Sequence, residues 1–176
     1  MNLNCWVLGG MLATAACASG AEGLRFESAG ARAGIPATLG GSDFHQAEAF
    51  ANWNLPWGWD FGTDWRLQSR LDLSAGWVGD SDHDAAVFTF GPSLVLSRER
   101  SPVSLDVGLS PTYITHQDFE DKKFGIPLQF TSHIGLNVDV WSHLRVGYRY
   151  QHMSNAGFSK YNPGLNLHMF GVSYVF

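Results

Sequence analysis

At 176 residues the chain is long enough for one domain with a sizeable core, yet only 15% of its residues are charged and 14% are aromatic, a poor match to an average soluble domain. Beyond the N-terminus no continuous apolar run reaches the roughly 20 residues that a membrane-crossing helix needs, so the aromatics point to membrane-spanning strands. A net charge of −5, without a basic block in the mature chain, excludes a nucleic-acid partner.

Residues 1–21 read as a secretory signal peptide that is removed, leaving 22–176 as one outer-membrane barrel. An apolar centre from Trp6 to Ala16 is followed by the small residues Ala16-Cys17-Ala18-Ser19-Gly20-Ala21. A membrane anchor, the alternative, would need a longer apolar core. Cys5 and Cys17 both fall in this segment, so the mature chain offers no thiol for a disulfide, a metal or a nucleophile.

Side chains on a strand alternate between two faces, and from Glu22 onward about eight short alternating runs are separated by polar, Gly, Pro or Asp clusters. The first, around Leu24 to Gly34, is the weakest. The second sets Ala47, Ala49, Ala51, Trp53 and Leu55 against Gln46, Glu48 and Asn52. In the third, Trp65, Leu67, Leu71, Leu73, Ala75 and Trp77 oppose Arg66, Gln68, Arg70, Asp72 and Ser74, with Ser69 the one polar residue on the apolar side. The fourth run sends Phe88, Phe90, Leu94 and Leu96 outward. The fifth sends Val103, Leu105, Val107, Leu109 and Tyr113 outward and Asp106 inward, and the sixth sends Leu128, Phe130, Ile134, Leu136 and Val138 outward and His133 inward. Ionic groups are costly in lipid but pair well across a narrow lumen, so the expected fold is all-β, an eight-stranded antiparallel transmembrane β-barrel. His133, Arg145, Arg149 and Asp106 are expected to form one lumenal network. A soluble sandwich would instead turn the apolar faces inward.

The seventh run places Leu144, Val146, Tyr148, Tyr150, His152 and Ser154 on one side and Arg145, Gly147, Arg149 and Gln151 on the other. Its outward face therefore ends in a histidine and a serine. The last run, Phe170, Val172, Tyr174 and Phe176, is apolar or aromatic at every second position, resembles the C-terminal assembly signal of bacterial outer-membrane barrels, and would close the sheet without an edge. Short turns belong on the periplasmic side and long loops outside. An even strand number then sends the seventh strand outward and brings His152 and Ser154 to the outer leaflet. Residues 78–85 and 115–125 become outer loops. Residues 79–82, Gly-Asp-Ser-Asp, lack the ligand spacing of a calcium loop and read as a solvated turn.

The stretch His152-Met153-Ser154-Asn155-Ala156-Gly157, with Asn162-Pro163-Gly164 after it, resembles the lipid A deacylase family of the PagL type, outer-membrane esterases built on an eight-stranded barrel. The specific match covers about the last third of the chain, the remainder agreeing in strand pattern and length. The resemblance implies hydrolysis of the ester-linked 3-hydroxyacyl chain at position 3 of lipid A in the outer membrane, with His152 as general base and Ser154 as nucleophile. Two residues apart on a strand, they share a face. The place usually held by an orienting acid is taken here by Asn166, which has outward parity and can fix the imidazole tautomer but brings no charge. By the same resemblance the Asn155 amide and the Gly157 N–H are expected to bind the oxyanion. Tyr148, Tyr150, Met153 and Phe158 are expected along an acyl groove, and His168 to touch substrate.

The remaining histidines, His45, His83, His116, His133, His143 and His168, show no ligand spacing, so neither a metal nor a cofactor is expected. Two other functions fit a small barrel. A non-enzymatic adhesion or membrane-stabilising protein would leave His152 and Ser154 incidental, while an acyltransferase that holds a chain inside the barrel is disfavoured by Arg145, Arg149 and Gln151 on the inner face.

Overall fold

In the computed structural model, which describes residues 23–37, 43–120 and 122–176, the outside is apolar and the inside polar. Phe88, Phe90, Leu109, Ile134, Leu136, Phe170 and Val172 are exposed, whereas Glu48, Arg70, Asp72, Asp106, Thr131 and Gln151 are buried. This inversion is what lipid on the outside demands. The expected signal peptide, residues 1–21, lies outside the described residues.

The strands are β1 (Arg25–Pro36), β2 (His45–Phe61), β3 (Trp65–Gly79), β4 (Asp84–Arg98), β5 (Val103–Ile114), β6 (Leu128–Trp141), β7 (Leu144–Ser154) and β8 (Leu165–Val175). Each pairs antiparallel with the next, and β8 returns to β1 in register from Ser28↔Val175 to Pro36↔Leu167, closing an eight-stranded barrel. The C-terminal Phe176 seals this seam against Phe26, ring centroids 4.7 Å apart. Closure satisfies every strand edge. β1 is faint in sequence because its outward positions are mostly alanines and its inward ones, Arg32 apart, are Ser28, Gly30 and Gly34. A Cβ on Gly30 would stand 2.1 Å from the Val172 carbonyl oxygen, so bulk is barred where the seam closes.

The turns 62–64, 99–102 and 142–143 are short and lie at the end where β1 begins and β8 finishes, while the opposite end carries the connections 115–127 and 155–164. By the turn-length rule that opposite end faces outward. β2 runs past the expected Leu55, forming with β3 a ribbon beyond the rim after a register shift between Asn54 and Gly58. Ser69, the polar exception of the third run, is explained by that shift. Its hydroxyl donates to the Trp57 carbonyl at 2.5 Å.

Inside, Arg32 pairs with Glu48, and Arg70 bridges Asp72 and Asp106 at 2.7 and 2.6 Å. Asp106 also holds His133 at 3.1 Å and Arg149 at 3.5 Å. Arg145 does not join this network as expected. It sits nearer the short-turn rim, where Glu27 and Asp139 neutralise it. At the outer end the lumen turns apolar, plugged by Phe44, Phe119, Phe124, Ile114, Met153 and Leu167.

Candidate active site

β7 delivers His152 and Ser154 to the outward surface at the long-loop end, and its neighbours complete the surroundings. His152 lies between Asn166 of β8 and Ser132 of β6, while Ser154 pairs across β6 with Phe130. Both side chains are half-buried. The His152 Nδ1 and the Asn166 Oδ1 are 2.7 Å apart. An amide oxygen can only accept, so Nδ1 carries the proton, and in the neutral imidazole the lone pair is then on Nε2. Neither Nε2 nor the Ser154 hydroxyl has a hydrogen-bond partner among the described residues, and no direct His152–Ser154 bond is formed.

The ring is held from a second side by Gly164. With φ of +64°, Gly164 occupies the left-handed region, and a Cβ there would come within 3.0 Å of His152 Cε1. A side chain at this position would be strained and would press on the imidazole.

After Ser154 the chain reverses in a tight turn. The Phe158 N–H donates to the Asn155 carbonyl at 3.0 Å, with positive φ at Ala156 and Gly157 of 54° and 84°. This turn corrects the expected oxyanion pair. Asn155 is wholly buried, and its Nδ2 donates to the carbonyls of Phe124 and Tyr161 at 2.9 and 2.6 Å. Its Oδ1 accepts the Gly157 N–H at 3.0 Å. Both expected donors are thus committed to fastening loops. Asn162 contributes to the same clasp, its Oδ1 accepting the Asn155 N–H at 3.0 Å.

Met153 also departs from the groove expected of it. Strand alternation turns it inward, 1% exposed, into the apolar plug beneath the site. The other expected groove residues do reach the surface. Phe158 is 71% exposed with its ring 6.0 Å from Phe130, beside the Ser154 position, and Tyr150 is outward with its ring edge-on to His168. His168 Nδ1 lies 2.8 Å from the Tyr148 hydroxyl. A descending outward row of aromatic and imidazole groups therefore leads away from Ser154.

The lumenal trio Asp72, Asp106 and His133 has ligand atoms close enough for a metal ion. However, the Arg70 guanidinium already lies between the two carboxylates, and the network is complete as an ionic filling.

The family model for lipid A 3-O-deacylase (PagL) matches residues 45–175. That span includes every residue described around His152 and Ser154. The chain belongs to the lipid A 3-O-deacylase family. As a member of it, the protein is an ester hydrolase of the outer membrane. It is 31% identical over 140 residues to the lipid A deacylase PagL of Bordetella bronchiseptica, covering 75% of this chain and 78% of that protein. The crystal structure of the outer membrane enzyme PagL superposes with a TM-score of 0.72 at 18% identity, over 83% of this chain and 97% of the other. A designed transmembrane β-barrel reaches a TM-score of 0.52 at 12% identity, covering 86% of this chain and 95% of the designed one. At such identities these structures speak to the fold alone.

Two contributors to the candidate site escape a reading of the sequence. Gly164 and Asn162 stand in the Asn-Pro-Gly motif with no role legible there, and only the long-range packing of residue 164 on residue 152 supplies one. Ser132 does leave a signal: it interrupts the outward row of Phe130, Ile134 and Leu136, directly opposite His152.

Proposed function

We propose that this chain removes the ester-linked 3-hydroxyacyl chain from position 3 of lipid A by serine–histidine nucleophilic catalysis. The observation that carries the reading is the outward pair at the outer-leaflet end: a hydroxyl without a partner among the described residues, and an imidazole whose Nδ1–H is tied to Asn166 so that Nε2 faces away from that bond as the proton acceptor. A serine alcohol attacks only when a base takes its proton, and histidine is suited to this near neutral pH. An ester embedded in the outer leaflet is accessible from the barrel's exterior and not from its lumen.

In the first half-reaction the Ser154 Oγ–H proton passes to His152 Nε2 as Oγ bonds to the ester carbonyl carbon. The bond to the sugar oxygen then breaks, and that oxygen takes the proton from Nε2. In the second, Nε2 deprotonates water, which attacks the acyl-serine and releases a 3-hydroxy fatty acid while the proton returns to Oγ. Adjacent same-face positions on a strand are about 6.6 Å apart along the chain, so side-chain rotation suffices to bring Oγ to Nε2, and catalytic hydrogen bonds commonly tighten only once substrate is bound. With Asn155 and Gly157 committed, the donors left on this turn for the developing oxyanion are the Ala156 N–H and the Asn162 Nδ2. The amide of Asn166 orients the imidazole without stabilising imidazolium by charge. Phe158, Tyr150 and His168 line the path of the scissile acyl chain.

Mass spectrometry of lipid A from cells producing the wild type, Ser154→Ala or His152→Asn tests this reading. The wild type alone should remove one hydroxyacyl mass. Lipid A left intact by a folded, heat-modifiable wild-type barrel would instead favour a purely structural protein.

A further inference from the structure

The chain has only three lysines, Lys122, Lys123 and Lys160, and all three lie on the two long outer connections that meet beside Ser154. Every arginine lies either in the lumen or toward the short-turn end. One atom brings the lysine-bearing loops together. Asn155 Nδ2 binds the carbonyls of Phe124 and Tyr161, the residues immediately after Lys123 and Lys160. The two loops touch again where Gly125 approaches the Ser159 hydroxyl so closely that a Cβ would fall 2.3 Å from it. Phe124 points into the plug, while Lys123 and Lys160 are exposed. None of the three lysines is ion-paired among the described residues, and Lys160 Nζ rests 4.9 Å over the Tyr161 ring.

The acids Asp118 and Glu120 of the same loop precede its lysines across a tight turn, where Asp118 pairs as a β-bridge with Lys123 and the Phe119 N–H donates to the Lys122 carbonyl at 2.9 Å. The Glu120 N–H donates to Asp80 at 2.9 Å, drawing that residue toward the β3–β4 connection, which carries Asp80 and Asp82. The ammonium groups of Lys123 and Lys160 are thus exposed on the flank of the nucleophile and, among the described residues, form no ion pair, although Asp118 lies across the turn from Lys123.

We propose that Lys123 and Lys160, supported by Lys122, bind a phosphate ester on the sugar headgroup of the membrane lipid whose acyl ester enters the site. This rests on the deacylase reading and specifies how its substrate is held. Ammonium groups bind phosphate as point charges, and at a membrane surface they orient the saccharide so that one acyl ester meets Ser154 while the chains remain in the leaflet.

The test uses the full barrel in detergent micelles with two probes, lipid A bearing its phosphates and the same lipid with the phosphates removed. Turnover and binding are both measured. Removing two exposed ion pairs with the phosphate corresponds to about a tenfold change, so the Lys123→Ala/Lys160→Ala variant should raise KM for the phosphorylated lipid about tenfold and leave kcat and the dephosphorylated lipid unchanged. The double glutamate variant should weaken binding further, and the double arginine variant should recover it. Equal losses on both lipids, no loss on the phosphorylated one, or equal suppression by phosphatidylglycerol micelles would overturn the assignment. The two readings fail separately. Phosphate-dependent binding without release of a fatty acid sinks hydrolysis and leaves the lysine site standing, whereas turnover indifferent to phosphate does the reverse.

Discussion

The lumen and the outward patch at the end of β7 are both polar islands in an otherwise apolar wall, and they are finished differently. In the lumen each charge meets its opposite, from Arg32 with Glu48 to Asp106 shared by Arg70, Arg149 and His133. Among buried side-chain polar atoms of the described residues, Gln129 Oε1 alone lacks a partner. On the patch, one nitrogen of His152 is bound to Asn166 while the other nitrogen and the Ser154 hydroxyl have no partner among the described residues. Saturated polarity holds the barrel together. Reactivity resides where one bond orients a group and the next is withheld for substrate.

The sharpest way to break that comparison is to unsaturate the lumen. Asp106→Ala leaves Arg149 and His133 without their carboxylate and Arg70 with Asp72 alone, and removing one partner of a buried ionic network costs about 3–5 kcal/mol. The unfolding midpoint in denaturant should fall accordingly, with the molecules that still fold retaining near-normal turnover. A specific loss of kcat with unchanged stability would place the lumen in the chemistry.

On the patch, Asn166→Ala should leave stability nearly unchanged and reduce kcat/KM by roughly 10–100-fold through loss of the tautomer-fixing bond. Asn166→Glu adds a carboxylate beside the imidazole, which favours its protonated form. The acidic limb of the pH–rate profile should therefore move to higher pH, with faster turnover above it. An unmoved limb would mean that position 166 does not act through His152.

Gly164→Ala should be milder. Strain at a positive φ costs about 1 kcal/mol, and the added methyl crowds Cε1 of His152. A modest drop in melting temperature together with about a tenfold fall in kcat is expected, and an unchanged kcat would show that the ring tolerates displacement.

The smallest effect concerns Asp80 in the outer loops. Burial raises its carboxyl, but the N–H groups of His83, Glu120 and Asp82 outweigh that and hold it below the ordinary carboxylate range. A depressed folded-state value means that this carboxylate stabilises the loops above the unfolded-state value of about 4 and that the gain disappears as pH falls below it. Protection factors of the amides in residues 80–83 and 120, each rate taken relative to the intrinsic rate at the same pH, should fall in acid for the wild type, while Asp80→Asn should show low protection at both neutral and acidic pH.

Much of this barrel is legible in the sequence because period-two alternation marks every strand but the alanine- and glycine-lined β1 clearly, and because His152, Ser154 and Ser132 break an apolar row. What escapes depends on distance along the chain. Nothing near Asn155 in sequence reveals that the Phe124 carbonyl will claim its amide, so a conspicuous asparagine reads as a catalytic donor and proves to be a clasp. Met153 is drawn toward the groove by its position between His152 and Ser154, although strand parity turns it inward. Pro56 and Gly58 disguise the continuation of β2, where the register shift interrupts the alternation.

The most direct test of the central claim is covalent capture of the nucleophile. The folded barrel in micelles is treated with a long-chain alkyl fluorophosphonate, and the adduct is mapped by peptide mass spectrometry. A single label on Ser154, abolished by His152→Asn and slowed by Asn166→Ala, is the predicted result. A fully active enzyme that carries no label at Ser154, or is labelled there equally well without the imidazole, would contradict the account.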